Sequence, residues 1–285
     1  MFSVAFIDSM TGESTIRLYR RGDVIRYSDV PTGGIYVDKY TYQFNAWTTD
    51  SELIEPTDPD GVTVEGDMVY YGRYLISDYS DKYVGAVSVL AQNGGPYVRD
   101  EGRVVVLGNS NMSLYHGMED SFASSEIPLY NNSISGSTSY EMIDWFRILV
   151  APYKPSAIVL NITTNDMAYY NLTERQILEN MIALYDLTRE LIPDTYVFFV
   201  TGNPLPGRTE YTETIIRTNN AMARFCEKNE GCELVDVYAR VLAVAEKYPT
   251  GWDTWTHMNQ QNLKLMFNDI KSAILAWKQN NGITF

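Results

Sequence analysis

The chain contains only two histidines, His116 and His257, and one of them is well placed for acid–base chemistry. Imidazole is the side chain that most often moves protons at neutral pH, so hydrolytic chemistry here would depend on one of these two residues. A serine that could use such a base, Ser110, ends the motif Gly108-Asn109-Ser110 directly after a short apolar run. His116 follows Ser110 too closely to fold back onto it. We therefore predict a Ser110 nucleophile with His257 as its base, the alternative being that Gly-Asn-Ser is only a capped turn before a helix.

Two apolar runs are expected to position these groups. Residues 103–107 precede Ser110, and residues 157–162 precede Thr163-Thr164-Asn165-Asp166. A short run of β-branched and other apolar residues with glycine or polar residues at its end is typical of a strand buried between helices. A loop of small residues around Gly136 lies between the two runs. Because reactive groups collect beyond the carboxyl ends of parallel strands, we expect Ser110, Gly136 and Asn165 on one rim, with His257 arriving from near the C-terminus.

These four residues would form a complete set for acyl transfer. The predicted oxyanion hole consists of the backbone N–H groups of Ser110 and Gly136 and the side-chain amide of Asn165. Two alternatives stay open at this point. Asn165 could cap the segment that follows it in an Asx turn, and His257 could be an ordinary residue at the start of a helix.

In order and spacing these motifs resemble the SGNH hydrolases, the GDSL esterase superfamily, over roughly residues 102 to 280. The family's Gly-Asp-Ser block appears as Gly108-Asn109-Ser110, its glycine block as Ser135-Gly136, and its Gly-x-Asn-Asp block as Thr163-Thr164-Asn165-Asp166. Its Asp-x-x-His block is altered, because Thr254 stands three residues before His257 and Asp253 stands four before it. The resemblance implies ester hydrolysis through an acyl-enzyme, with either Asp253 or a backbone carbonyl orienting His257.

The patterns after residue 100 favour the same architecture independently. Strand and helix signals alternate there, which implies a parallel sheet sandwiched by helices. The resemblance specifies the flavodoxin-like, SGNH-type form of this sheet. Further strands are predicted at 196–200 and 234–237, and helices from Ser139, over 174–191 after a capping box at Thr173, over 212–229 and over 259–278.

The first 75 residues have a different pattern. Predicted strands at 3–8, 14–19, 40–47 and 67–74 indicate a small all-β, β-grasp-like domain. The residues Tyr42-x-Phe44-x-x-Trp47-Thr48-Thr49-Asp50 and Gly66-Asp67-Met68-Val69-Tyr70-Tyr71 resemble one internalin B-repeat, a module of cell-surface and phage proteins. The alternative is an unrelated β-domain packed on an edge of the enzyme. We expect residues 1–75 to have a binding or assembly role and residues 102–285 to form the hydrolase domain. Residues 76–101 would connect these two domains and contain one strand at 83–91.

Composition excludes several classes of partner. The 285 residues carry a net charge of −14 without a basic patch, so neither nucleic acid nor an anionic membrane is an expected partner. The spacing of cysteines and histidines indicates no metal site, and no cofactor is expected. Cys226 and Cys232 could form a disulfide or remain reduced. The sequence shows neither a signal peptide nor a stretch of transmembrane length, which leaves a cytosolic protein, a mature form without its signal, or a virion or surface component.

The expected function is a serine esterase that removes acetyl or other small acyl groups from a carbohydrate. Trp255, Tyr169 and Tyr170 could form an aromatic platform for a sugar, but ordinary packing is the favoured explanation for all three. One alternative is a surface or virion attachment protein whose hydrolase-like domain has little activity. A further alternative is a lipase or thioesterase of the same fold.

Overall fold

A computed structural model describes residues 1–37, 41–51, 56–76, 86–87, 90 and 102–283. The chain divides into two compact units, Met1–Arg99 and Asp100–Phe285. Each unit has an apolar core of its own.

The C-terminal unit is built on a parallel sheet, as predicted; it has five strands, of which Leu129–Asn131 was not predicted. Its strands are Val104–Gly108 (β6), Leu129–Asn131 (β7), Ala157–Asn161 (β8), Tyr196–Val200 (β9) and Cys232–Val235 (β10). They lie in the order β10-β9-β8-β6-β7, and every neighbouring pair is parallel. Every residue of β6 and β8 is buried, because helices cover both faces of the sheet.

The strand order creates a switch point between β6 and β8. From β6 the chain moves outward to β7, then returns to β8 on the other side of β6 and continues outward to β9 and β10. Connections leave β6 and β8 in opposite directions, so a crevice opens between their carboxyl ends, which is where open α/β sheets bind ligands. Ser110 follows β6 and Asn165 follows β8, so two of the predicted site residues flank this crevice.

The helices of this unit begin and end at recognisable signals. Thr138 with Glu141 and Thr173 with Gln176 form capping boxes at the starts of two of them. Gly282 follows the last one in the left-handed conformation that ends many helices. The described helices are Ser110–Ser113 (α1), Met118–Ala123 (α2), Ser139–Leu149 (α3), Thr164–Tyr170 (α4), Glu174–Leu191 (α5), Thr212–Cys226 (α6), Tyr238–Ala245 (α7) and Gln260–Asn281 (α8), with 3₁₀ segments at Ala151–Tyr153 and Pro206–Tyr211.

Several predicted boundaries shift by a few residues. The helix predicted over 212–229 ends at Cys226, and the strand predicted at 234–237 is Cys232–Val235. The helix predicted from residue 259 begins at Gln260, because the Asn259 side chain caps it by accepting a hydrogen bond from the Asn262 N–H at 3.1 Å. Ahead of that cap lies a short hairpin that periodicity did not indicate, Trp252–Thr254 (β11) paired with His257–Met258 (β12).

The N-terminal unit is an all-β sheet with mixed strand directions. Its strands Phe2–Asp8 (β1), Ser14–Tyr19 (β2), Ile35–Val37 (β3), Thr41–Thr48 (β4) and Met68–Ile76 (β5) lie in the order β2-β1-β5-β4-β3. The β1–β5 pair is parallel and the other pairs are antiparallel. The core is aromatic: the Phe6 ring stacks on Tyr70 at 5.3 Å and meets the edge of Trp47 at 5.2 Å. A short 3₁₀ segment lies at Tyr27–Asp29.

The strand predicted at 83–91 falls mostly outside the described residues. Three of its residues, Ala86, Val87 and Leu90, are described, and all three are helical. The strand prediction is therefore wrong at those positions. Periodicity alone does not separate a strand from a buried helical segment in so short an apolar run.

Three further expectations can be compared with the described residues. Cys226 and Cys232 are free thiols, and the Cys232 thiol donates a hydrogen bond to the Asn229 carbonyl at 3.5 Å. Within the ranges given above, none of the helices combines the length and apolar character needed to cross a membrane. No group of three histidine, cysteine or acidic side chains in those ranges is arranged to hold a metal ion.

Candidate active site

The turn between β6 and α1 presents Ser110 at the end of the sheet. Ser110 is the first residue of α1, and the Asn109 side chain caps the helix by accepting a hydrogen bond from the Asn111 N–H at 3.1 Å. Glycine at position 108 permits this tight turn, because a Cβ atom there would lie only 2.6 Å from Cγ of Met112 and 3.3 Å from Cβ of Asn161. The helix therefore lies directly on the strand ends and leaves the Ser110 hydroxyl half-buried at the rim.

The hairpin β11–β12 brings His257 to this serine. His257 Nε2 lies 3.0 Å from Ser110 Oγ, across 147 residues of chain. This distance is within hydrogen-bond reach for a nucleophile and its general base. His116, by contrast, is exposed, and its backbone N–H donates to the Gln260 side chain.

The other ring nitrogen of His257 contacts a threonine. Nδ1 lies 3.1 Å from Thr254 Oγ1, which also accepts the His257 backbone N–H at 3.1 Å. Thr254 and His257 are directly paired across the hairpin, where facing side chains lie close together. Asp253 is the extra residue of a bulge in β11, and its side chain is exposed. The structure thus brings Ser110, His257 and Thr254 together, and it does not place the Asp253 carboxylate on Nδ1.

The surroundings of His257 favour its neutral form. Partial burial lowers the pKa of the imidazole, and the positive charge of Arg208 lowers it further. The negative charge of Asp253 acts in the opposite direction and raises this pKa. The net shift of this pKa is downward, so His257 stays neutral, and available as a base, at pH values below the usual pKa of histidine.

The loop after β7 extends along β6 and carries Gly136 to the same rim. The N–H of Ile134 donates to the Gly108 carbonyl at 2.9 Å, and Ser137 Oγ donates to the same carbonyl at 3.1 Å. Gly136 has φ of +86°, a conformation that favours glycine. Among the described residues, the backbone N–H groups of Ser110 and Gly136 have no acceptor. Both remain free to bind a developing negative charge.

Asn165 lies near the start of α4, and its side-chain amide is fixed at both ends. Its Nδ2 donates to the Ser137 carbonyl at 2.9 Å, and its Oδ1 accepts from Arg208 Nη1 at 3.0 Å. An amide nitrogen carries two hydrogens, so one remains for a ligand. The residue is buried at 5% exposure. Thr163, which stands where the family pattern has glycine, adopts φ of +114°, a backbone conformation that favours glycine.

Asp166 ties the two predicted oxyanion loops together. Its Oδ1 accepts hydrogen bonds from the backbone N–H of Ser139, at 2.9 Å, and from the Ser139 hydroxyl. Its Oδ2 accepts from the Thr163 N–H at 3.1 Å. Burial raises the pKa of this carboxyl while the hydrogen bonds oppose the shift. The last residue of the motif Thr163-Thr164-Asn165-Asp166 therefore braces the loops of Gly136 and Asn165 against each other.

The three aromatic residues predicted to line the site are exposed. Trp255 is 67% exposed at the tip of the hairpin that carries His257, and Tyr169 and Tyr170 are 56% and 40% exposed at the end of α4. Tyr169 lies under the Arg208 guanidinium at 5.7 Å, and Tyr170 contacts the edge of Tyr140. Their roles as substrate contacts remain predictions.

Sequence reasoning missed two residues of this site. The sequence motifs identify Thr254 only as a residue that replaces the family's aspartate. Its position three residues before His257 is the signal that could have identified it as the partner of the imidazole. Arg208 lies in the 3₁₀ segment after β9 and belongs to none of the recognised motifs. Its place beside Asn165 depends on a contact across 43 residues of chain, which no local pattern indicates.

Comparison with known proteins agrees with this geometry. Residues 105–261, more than half of the chain, match the GDSL-like lipase/acylhydrolase family, and the chain belongs to that family. It is thus a hydrolase of the SGNH type, a serine esterase class, as the sequence motifs indicated. No curated protein matches the chain significantly.

Solved structures share the fold at low sequence identity. A GDSL-like lipase from Bacteroides thetaiotaomicron is 23% identical, with a TM-score of 0.54 over 68% of this chain and 96% of its own. A candidate acylhydrolase from Bacteroides fragilis is 24% identical, with a TM-score of 0.54 over 63% of this chain and 89% of its own. A candidate platelet activating factor from Streptococcus pneumonia is 18% identical, with a TM-score of 0.56 over 66% of this chain and 92% of its own. At these identities the likeness shows the fold alone.

Proposed function

We propose that the protein hydrolyses small esters through an acyl-enzyme on Ser110. The observation that carries this proposal is the 3.0 Å contact between His257 Nε2 and Ser110 Oγ at the switch point of the sheet. Three hydrogen-bond donors in the adjoining loops support it: the N–H groups of Ser110 and Gly136, and the second amide hydrogen of Asn165.

In this mechanism Ser110 Oγ attacks the acyl carbonyl carbon while His257 Nε2 takes the hydroxyl proton. The carbonyl oxygen becomes an oxyanion, and the three donors stabilise it. Loss of one such donor typically costs about 3–4 kcal/mol of transition-state stabilisation. Collapse of the tetrahedral intermediate breaks the ester bond, and the His257 proton passes to the departing alcohol. Water then attacks the acyl-enzyme by the same steps and releases the acid.

Thr254 takes the place of the triad's third member in this proposal. Nε2 can accept the serine proton only when the other ring proton is on Nδ1, so Nδ1–H must donate to Thr254 Oγ1. A hydroxyl fixes the orientation of the ring, but it lacks the full negative charge with which a carboxylate stabilises imidazolium. We therefore propose a Ser–His dyad oriented by Thr254, with Asp253 acting only through its more distant charge.

For the substrate we propose an acylated carbohydrate, with acetyl or another small acyl group as the part removed. The exposed rings of Trp255, on the hairpin that carries His257, and of Tyr169, on the helix that carries Asn165, support a sugar-binding role. Aromatic faces of this kind suit the apolar faces of sugar rings, and polar groups around them can bind hydroxyls.

For residues 1–75 we propose a binding or assembly role as an internalin-B-repeat-like module. A separate aromatic core and exposed apolar side chains at Ile16, Leu18 and Tyr27 support this role. We also propose residues 76–101 as the connecting segment and residues 102–285 as the hydrolase domain. Location in a virion or on a cell surface would be consistent with this organisation.

A chain-length series of esters tests the function. Turnover of p-nitrophenyl acetate, butyrate and octanoate should fall with acyl length, and acetylated glycans should release acetate, both abolished in Ser110→Ala. A preference for octanoate would favour a lipase or thioesterase instead. No turnover of any ester would favour an attachment protein that retains the fold without the activity.

A further inference from the structure

Arg208 contacts the amide oxygen of Asn165, the predicted oxyanion donor. Its Nη1 lies 3.0 Å from Asn165 Oδ1 and 3.4 Å from the Thr164 carbonyl oxygen. A guanidinium group only donates hydrogen bonds, so the amide atom that faces it must be the oxygen. The Asn165 nitrogen must then face the other way, where it donates to the Ser137 carbonyl. The two contacts agree on a single orientation of the amide.

The segment that carries Arg208 is itself held against the histidine hairpin. The Gly207 N–H donates to the Trp255 carbonyl at 2.8 Å, and a Cβ atom at Gly207 would lie 3.0 Å from Cβ of Trp255. On the other side, the Arg208 guanidinium lies 5.7 Å from the centre of the Tyr169 ring, within cation–π range. The arginine thus connects the hairpin that carries His257 with the helix that carries Asn165.

The charge of Arg208 is not neutralised by a neighbour. Within the part of the chain that the structure describes, no carboxylate lies at ion-pair distance from this guanidinium, whereas Arg175, Arg217 and Arg240 all have acidic partners. The charge is close enough to lower the pKa of His257, with burial as the larger cause and Asp253 opposing both. A positive charge in this place attracts the developing oxyanion and disfavours imidazolium before substrate arrives.

We propose that Arg208 is a positioning residue of the acyl-transfer site, which holds the Asn165 amide with its nitrogen toward the oxyanion and adds an unneutralised positive charge beside it. The inference rests on the proposed function of Ser110, His257 and Asn165. It assigns a role to a residue outside the four sequence motifs. Removal of the guanidinium should therefore affect the transition state far more than substrate binding.

Kinetics of p-nitrophenyl acetate hydrolysis provide the first test. Arg208→Gln should lower kcat on the order of tenfold with little change in KM, and Asn165→Ala should lower it about 100- to 1,000-fold, the usual effect of losing an oxyanion donor. Because the orienting part of the Arg208 effect acts through Asn165 while its charge acts directly, the double variant should lose less than the product of the two single losses. Arg208→Lys should recover part of the loss, and the matched control Arg175→Gln, which removes an exposed arginine of α5, should match the parent. Fully additive effects, or a loss confined to KM, would overturn the proposal.

Proton NMR provides a second test that needs no catalysis. The chain has only two histidines, so a His116→Gln background assigns the His257 ring signals without ambiguity. Arg208→Gln should raise the pKa of His257 and Arg175→Gln should not, and Arg208→Gln should shift or broaden the side-chain amide signals of Asn165. If the parent protein hydrolyses no ester, the proposed function fails, while the NMR result still decides whether Arg208 acts on these two residues. Unchanged signals from both residues would refute the positioning role.

Discussion

Thr254 offers a direct way to strengthen the catalytic dyad. Replacement by aspartate puts a carboxylate three residues before His257, at the position that the family pattern gives to its acid. The hairpin register already pairs this residue with His257, and its hydroxyl oxygen lies 3.1 Å from Nδ1. Thr254→Asp should therefore convert a hydroxyl contact into a charged one without moving the backbone.

The size of the effect follows from Coulomb's law. At about 4 Å a carboxylate and an imidazolium attract each other by about 1 kcal/mol in water and by about 4 kcal/mol at an effective dielectric of about 20. Residue 254 is exposed, so solvent screening places the gain near the lower end, at about 1–2 kcal/mol. Since imidazolium forms in the transition state, the gain appears in kcat as a rise of about tenfold. The pKa of His257 should rise as well, because the charged form is favoured.

The assay is kcat for p-nitrophenyl acetate above the new pKa of His257, together with an NMR titration of the ring. Thr254→Asn is the matched control, because it has nearly the same shape as aspartate without the charge and should not exceed the parent rate. A Thr254→Asp enzyme with unchanged kcat and an unchanged His257 pKa would show that residue 254 does not orient the imidazole. The acid would then have to be sought at Asp253.

The remaining predictions concern charge, pH and the division of the chain. Asp253→Asn should lower kcat by less than about fivefold, since exposed charges without direct contact contribute under about 1 kcal/mol; a loss near that of His257→Ala would restore Asp253 as the acid. When kcat/KM is plotted against pH, the midpoint of its fall on the acid side should lie below the usual pKa of histidine, because burial and Arg208 both disfavour imidazolium. A midpoint at or above that pKa would contradict the assignment of His257 as the base. A fragment of residues 102–285 should keep its turnover of small soluble esters, and a folded but inactive fragment would show that the N-terminal unit shapes the site.

The sequence was informative where one pattern had one structural solution. The apolar runs that became β6 and β8 specify buried parallel strands, and the polar residues that follow them had to meet at one end of the sheet. Ser110 and Asn165 could therefore be assigned to one rim from their positions in the sequence alone. The capping box at Thr173 likewise predicted the start of α5, because reciprocal hydrogen bonds leave a readable spacing.

Other parts of the site depended on contacts that local pattern does not encode. Whether Asp253 or Thr254 meets Nδ1 is decided by the register of a hairpin of two very short strands, in which Asp253 is bulged out. Arg208 reaches Asn165 from a 3₁₀ segment that has no periodicity of its own. At residues 86, 87 and 90 the apolar spacing was compatible with either secondary structure, and these residues are helical.

Covalent labelling tests the central claim, that Ser110 is activated by His257, most directly. A serine-directed fluorophosphonate should modify the folded protein once, and peptide mass spectrometry should find the adduct on Ser110. Labelling should disappear in Ser110→Ala, fall steeply in His257→Ala, and persist in Ser113→Ala, which removes another half-buried hydroxyl of the same helix. An adduct on another serine, or labelling of Ser110 that is as fast without His257 as with it, would contradict the account.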